Sequence, residues 1–103
     1  LVAVHDVQPE DTPDALAPQV LQDILRVDEG GGVLVLTDLV GATPANIAKQ
    51  AVADAQQRGV ECDVLAGLNT PMLLRALTYR NFPLAETREK ALAGGVGGVL
   101  RVD

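Results

Sequence analysis

Residues 33–36 form an unbroken apolar run of valine and leucine, which Thr37 and Asp38 end. A run without alternation is typical of a strand that is covered on both faces, as in a parallel sheet. Open parallel sheets bind their ligands beyond the carboxyl ends of the strands. The pattern therefore predicts a strand here, and it places Asp38 at the edge of the sheet where a functional site is expected.

The remaining hydrophobic pattern predicts further strands and helices. We predict strands at residues 1–7, 60–66 and 99–102, and helices at residues 14–25, 43–58, 72–80 and 84–93. Pro18 fits poorly inside the first helix, so this helix either begins at Ala17 or is distorted in its first turns. The glycine-rich residues 94–98 are predicted to be a flexible linker before the last strand.

The composition indicates a single domain with an aliphatic core. The chain has 103 residues, of which 48% are hydrophobic but only 2% are aromatic. Valine, leucine, isoleucine and alanine must therefore fill the core, which suits packed α/β layers, and stacking of bases on aromatic side chains is excluded. The net charge of −6 repels nucleic acid and anionic lipid, whereas it is compatible with a basic protein partner.

Other sequence features exclude further classes of protein. Cys62 is the only cysteine, and its position in a predicted strand favours a buried, inert thiol over a nucleophile. The sequence contains no secretory signal and no long apolar segment, so we expect a soluble, cytoplasmic protein that does not insert into a membrane. We expect no metal site, because no His, Cys and carboxylate cluster has ligand spacing. A nucleotide-binding domain is disfavoured because no glycine-rich phosphate loop appears.

A threonine followed by a proline begins three of the predicted helices. The pairs are Thr12-Pro13, Thr43-Pro44 and Thr70-Pro71. Each pair predicts a helix N-cap and a proline in the first turn, and the three amino ends are expected at one rim of the sheet, where free amides favour a phosphate. Simple capping suffices for the first pair. Asp38 and Asn69 stand near the other two pairs, which favours a site there.

Two motifs at this rim resemble a known family. The first is GVLVLTDL at residues 32–39 followed by GATPAN at residues 41–46, and the second is AGLNTPMLL at residues 66–74. They are similar to the mannose-type IIA component of the bacterial phosphoenolpyruvate-dependent sugar phosphotransferase system, and the resemblance runs from about Val2 to the end of the chain. It implies a doubly wound α/β fold with a mainly parallel sheet and helices on both faces. It also implies a homodimer in which the last strand, residues 99–102, is antiparallel and exchanged between subunits.

The resemblance also implies a function and a set of site residues. A phosphotransferase of this family takes a phosphoryl group from the carrier protein HPr on a histidine and passes it to a IIB partner, without a cofactor. Asp38 matches the aspartate that hydrogen-bonds the histidine. The residues that match the surroundings of the phosphoryl group are Gly41, Ala42, Thr43, Asn69 and Thr70.

The sequence departs from the family at the histidine. The only histidine is His5, which lies in a predicted strand and not at the family's phosphorylation position, so we do not assign it the role. Residues 1–103 are expected to be one domain that lacks the family's first strand, active-site histidine and first helix, which the intact polypeptide would carry. Two alternatives remain: a regulatory or non-catalytic interaction module of the same fold, and a phosphotransfer subunit for dihydroxyacetone kinase.

Overall fold

The computed structural model describes residues 2–4, 6–7, 11–38 and 43–99. Within these ranges the chain forms four helices and two strands. In chain order they are α1 (Pro13–Val27), β1 (Val33–Thr37), α2 (Thr43–Gln57), β2 (Cys62–Ala66), α3 (Thr70–Thr78) and α4 (Leu84–Gly97). The two strands are parallel, and their register runs from Val33 opposite Cys62 to Thr37 opposite Ala66.

Helices lie on both faces of this two-stranded sheet. One face packs against α1 and α2 in an aliphatic core, whose buried members are Leu21, Ile24, Val33, Ala51, Val52, Ala55 and Cys62. Asp63 points to the opposite face, because side chains alternate along a strand, and its Oδ2 atom lies 2.8 Å from Nη1 of Arg88 on α4. The α/β class is therefore as predicted, whereas two strands do not test the larger doubly wound sheet, which stays a prediction.

Helix α1 begins where the first threonine-proline pair predicts. Thr12 is the N-cap, and its Oγ1 atom accepts a hydrogen bond from the amide of Ala15 at 3.3 Å. Pro18 lies inside the helix, so the alternative start at Ala17 is wrong. Pro18 cannot donate to the carbonyl of Asp14, but both residues are exposed, so water can satisfy that oxygen.

The strand predicted at residues 1–7 is wrong for the described part of that segment. Residues 2–4 and 6–7 have no regular structure, and the side chains of Val2 and Val4 are 68% and 86% exposed. A strand needs a hydrogen-bonded neighbour, and neither β1 nor β2 pairs with this segment. Alternating apolar residues alone do not supply that neighbour. His5 and the loop at residues 8–10 lie outside the described residues.

The flexible linker predicted at residues 94–98 is also wrong, because α4 continues to Gly97. Its glycines allow a close approach to α3. A Cβ atom at Gly94 would lie 2.5 Å from Cγ of Arg75 and 3.2 Å from the carbonyl oxygen of Pro71, and a Cβ atom at Gly95 would lie 2.7 Å from Cε of Met72. This packing compensates for the low helix propensity of glycine, which costs about 0.5–1 kcal/mol per residue.

Smaller corrections concern the ends of the other elements. Strand β2 begins at Cys62 and not at residue 60, since the amide of Val60 donates to the carbonyl of Ala55 at 3.1 Å in the turn that follows α2. Cys62 is buried as predicted, and burial, with smaller contributions from Asp63 and Asp28, raises the pKa of its thiol to about 11. At pH 7 the thiol is therefore neutral and unreactive. Val99 has no regular structure, and residues 100–102 of the predicted last strand lie outside the described residues.

The contacts of the α4 glycines predict opposite effects for two alanine substitutions. Gly94→Ala should lower the free energy of unfolding by about 1–3 kcal/mol, because the new methyl group overlaps α3. Gly97→Ala should raise it by about 0.5 kcal/mol, because no atom of a neighbouring element lies within 4 Å of a Cβ atom there. Urea denaturation of both variants checks the prediction. Equal free energies of unfolding for the two variants would contradict the proposed tight α3–α4 contact.

Candidate functional site

The carboxyl ends of β1 and β2 meet at one edge of the sheet, and the loops that follow them are joined by hydrogen bonds. Thr37 and Ala66 end the two strands opposite each other. The amide of Leu68 donates to the carbonyl of Thr37 at 3.0 Å, and the amide of Gly67 donates to the carbonyl of Asp38. The in-register parallel pairing therefore brings Asp38 next to the loop at residues 67–69.

Asp38 lies at this edge as the sequence predicts. It directly follows Thr37, whose side chain is 8% exposed, whereas the side chain of Asp38 is exposed to solvent. A carboxylate in this position is held by a rigid strand on one side and remains accessible to a partner on the other. Gly41 and Ala42, which the resemblance places around the phosphoryl group, lie outside the described residues.

Helix α2 begins five residues after Asp38, at Thr43. The sequence predicts Thr43 as the N-cap that precedes the helix, but the structure places it within the helix, as its first residue. Its side chain is half-buried, and the next turn is anchored in the core through the buried residues Ala45, Ile47 and Ala48. The amino end of α2, with Thr43, is therefore fixed at the same edge as Asp38.

Helix α3 also begins at this edge, but its cap differs from the prediction. Asn69 and not Thr70 is the N-cap, since Oδ1 of Asn69 accepts a hydrogen bond from the amide of Met72 at 3.0 Å. Thr70 is the first residue of the helix and is exposed. Nδ2 of Asn69 donates to the carbonyl of Gly95 on α4 at 2.9 Å. Both polar groups of this half-buried side chain are thus engaged within the protein.

The hydrogen bonds of the first turn of α3 leave few donors for an anion. Pro71 has no amide hydrogen, the amide of Met72 donates to the Asn69 side chain, and the amide of Leu73 donates to the Asn69 carbonyl at 3.1 Å. Thr70 alone contributes an amide without a partner among these bonds. The amino end of α3 consequently offers an anion fewer hydrogen-bond donors than the threonine-proline motif predicts.

One supporting residue of the site, Gly95, escaped the sequence analysis, whereas Met72 belongs to the second motif described there. Met72 packs on Gly95, and the carbonyl of Gly95 holds the Asn69 amide, although Gly95 is 26 residues further along the chain. Paired glycines inside a helical pattern are a signal of close packing. The sequence does not say which element packs there, so the contact between α3 and α4 was visible only in the structure.

The described part of the chain shows neither a metal centre nor a membrane span. No group of three or more His, Cys, Asp or Glu side chains in the described ranges is arranged to hold a metal ion. Of the four helices, none combines the length and the apolar character that crossing a membrane requires. The candidate site is accordingly a polar edge built from Asp38, Thr43 and the loop that leads into α3.

Comparison with known proteins identifies the family. The model of the EIIA-man family, described as PTS system fructose IIA component, matches residues 1–92. The PTS system mannose-specific EIIAB components of Escherichia coli (strain K12) and Shigella flexneri are each 32% identical to the chain over 76 residues, which are 74% of this chain. The match covers 22% of each relative, so the chain spans about a fifth of the length of these curated relatives.

A solved structure supports the same assignment at the level of the fold. The crystal structure of phosphotransferase system component EIIA from Streptococcus agalactiae superposes with a TM-score of 0.74 at 23% identity. The superposition covers 90% of this chain and 69% of the other. The match of the family model over most of the sequence, together with the motifs at the sheet edge, shows that this chain belongs to the mannose-type EIIA family of the phosphotransferase system.

Proposed function

We propose that the chain is the phosphoryl-carrying domain of a sugar phosphotransferase system, which accepts a phosphoryl group from phosphorylated HPr and passes it to a IIB partner. The observation that carries the proposal is the meeting of Asp38, the amino end of α2 and the loop at residues 67–69 at one sheet edge, in a member of this family. Catalysis of phosphoryl transfer depends mainly on the positioning of the reacting groups and on electrostatic stabilisation of the transferred charge. A rigid edge with a carboxylate and helix amides supplies both.

In this proposal, the acceptor is a histidine of the intact protein and not His5. One ring nitrogen attacks phosphorus, and the bond between phosphorus and the histidine of HPr breaks, so that the phosphoryl group moves from one imidazole to the other. Asp38 accepts the hydrogen bond of the second ring nitrogen, which fixes the tautomer and leaves the attacking nitrogen unprotonated. The carboxylate also stabilises the positive charge that develops on the ring.

The phosphoryl oxygens are proposed to be received mainly at the start of α2. Gly41, Ala42 and Thr43 would supply backbone amides and a hydroxyl there, and Thr70 would supply its amide and hydroxyl from α3. The described hydrogen bonds of α3 support this unequal division, because its first turn is largely satisfied by Asn69. The net charge of −6 supports a basic protein donor, and a cytoplasmic location follows from the same role.

The role of Asp38 predicts the outcome of a phosphorylation assay. The intact protein, incubated with phosphorylated HPr, should acquire acid-labile phosphate on a histidine. Asp38→Asn should slow this labelling by roughly 100-fold without unfolding the protein, because the amide favours the wrong imidazole tautomer. Quench-flow labelling with circular dichroism as the folding check measures both. Equal labelling rates for the wild type and Asp38→Asn would refute the role of Asp38, and an unlabelled wild type would refute the function.

Two threonines that begin helices allow a matched comparison. Thr43→Ala should slow transfer while changing the free energy of unfolding by less than about 0.5 kcal/mol, because Thr43 is the first residue of α2 and not its cap. Thr12→Ala removes a true N-cap, so it should cost about 1 kcal/mol of stability and leave the transfer rate unchanged. Thr43→Ser should restore transfer. If Thr43→Ala loses stability and keeps its transfer rate, the phosphate contact is wrong.

We also propose that the protein is a homodimer in which residues 99–102 pair with the sheet of the partner subunit. Helix α4 continues to Gly97 with Gly98 as its C-cap, and the following Val99 is 79% exposed, which supports a partner for the segment that begins there. Deleting residues 99–103 should give monomers or insoluble protein, whereas deleting Asp103 alone should not change the assembly. Light scattering measures the mass. A stable dimer of the shorter protein would contradict the exchange.

A further inference from the structure

The loop at residues 67–69 is held from two sides. On one side, the amides of Gly67 and Leu68 donate to the carbonyls of Asp38 and Thr37, which ties the loop to the end of β1. On the other side, the Asn69 side chain reaches the carbonyl of Gly95 at 2.9 Å and ties the loop to α4. The position of this loop opposite Asp38 therefore depends on α4 as well as on the sheet.

The contact between Asn69 and Gly95 lies where α3 and α4 pack closely against each other. A Cβ atom at Gly95 would lie 3.2 Å from Cβ of Met72 and 3.5 Å from Oδ1 of Asn69. The same Met72 donates its amide to Oδ1 of Asn69. One side chain thus caps α3 and fastens it to α4, and the hydrogen bond to Gly95 forms only while α4 stays this close.

We propose that Asn69 is a positioning residue of the phosphotransfer site: it clamps α3 to α4 through Gly95 and so fixes residues 67–70 opposite Asp38, without itself contacting the phosphoryl group. This inference rests on the proposed function. It differs from the role that the resemblance implies, in which Asn69 is part of the phosphate-binding wall. The reason is that the side-chain oxygen is committed to Met72 and the amide is oriented toward Gly95.

A double-mutant cycle separates the clamp from a phosphate contact. Asn69→Ser keeps an N-cap oxygen but is too short to donate to Gly95. Gly95→Ala leaves Asn69 chemically intact, but its methyl group would lie 3.2 Å from Cβ of Met72, so we expect α4 to move slightly away from α3. If Asn69 acts only through the clamp, each variant slows kcat for phosphoryl acceptance about 5-fold with an unchanged KM for phosphorylated HPr, and the double variant is no slower than either single variant.

A direct contact between Asn69 and the phosphoryl group would give different kinetics in the double variant. If Asn69 contacts the phosphoryl group, the two effects multiply in the double variant, which overturns the proposal. Gly97→Ala is the control, because it adds the same methyl group to α4 with no neighbour within 4 Å and should leave kcat unchanged. Asn69→Thr, which is neutral, keeps a cap oxygen and is also too short to donate to Gly95, replaces Asn69→Ser in the cycle if that variant does not fold.

A second measurement tests the clamp without any phosphoryl donor. Amide hydrogen exchange at Leu73, whose amide donates to the Asn69 carbonyl, and at residues 95–98 should accelerate about 5-fold in both Asn69→Ser and Gly95→Ala, and it should not change in Gly97→Ala. Unchanged exchange in Asn69→Ser overturns the clamp whatever the kinetics show. An unlabelled wild type with accelerated exchange in both variants refutes the proposed function and keeps the clamp, so the two failures are distinguishable.

Discussion

The in-register parallel pairing of β1 with β2 is the constraint on which the candidate site depends. Because Thr37 lies opposite Ala66, the next residues of both strands leave the sheet at the same level, and the amides of Gly67 and Leu68 can bond to the carbonyls of Asp38 and Thr37. A shift of one residue would break these bonds and turn each side chain to the other face. The aliphatic core under α1 and α2 opposes such a shift, since Val33 and Cys62 are buried there. Burial on one face thus fixes the geometry of a polar edge.

Packing of α4 on α3 is the second condition, and it is unusual because it uses glycines within a helix. A helix with glycine at residues 94, 95 and 97 is weak by local propensity. Its stability must come from tertiary contacts with Met72 and Arg75 and from the ion pair of Arg88 with Asp63, which joins α4 to the sheet. That ion pair is partly exposed and contributes modestly. Close contact with α3 is therefore the main source of order for the last turns of α4.

The sequence predicted the elements whose local signals agree with their surroundings. The apolar run at residues 33–36 became β1, because β2 and the core under α1 and α2 supply the partner and the burial that its pattern requires. Thr12 became an N-cap, because capping requires no distant partner. Prediction failed where distant contacts decide the outcome. Residues 94–98 were predicted as a linker from their composition, and the packing of α3 makes most of them helical. At α3, both Asn69 and Thr70 are good caps, and the reach of Asn69 to Gly95 explains why Asn69 is chosen.

The two helices that begin with a threonine-proline pair at this edge, α2 and α3, differ in how their amino ends are used. Asn69 satisfies the first turn of α3 internally, which gives this helix a fixed position at the expense of its capacity to bind an anion. The amino end of α2 follows directly on the loop from Asp38 and carries Thr43, so it is the end that remains for a phosphoryl group in the proposed mechanism. A site that must accept and release the same group needs firm walls and moderate affinity, because an anion bound too tightly would not be passed on. In the proposed mechanism, α2 as the single anion-binding helix, opposite a loop held by Asn69, would meet both requirements.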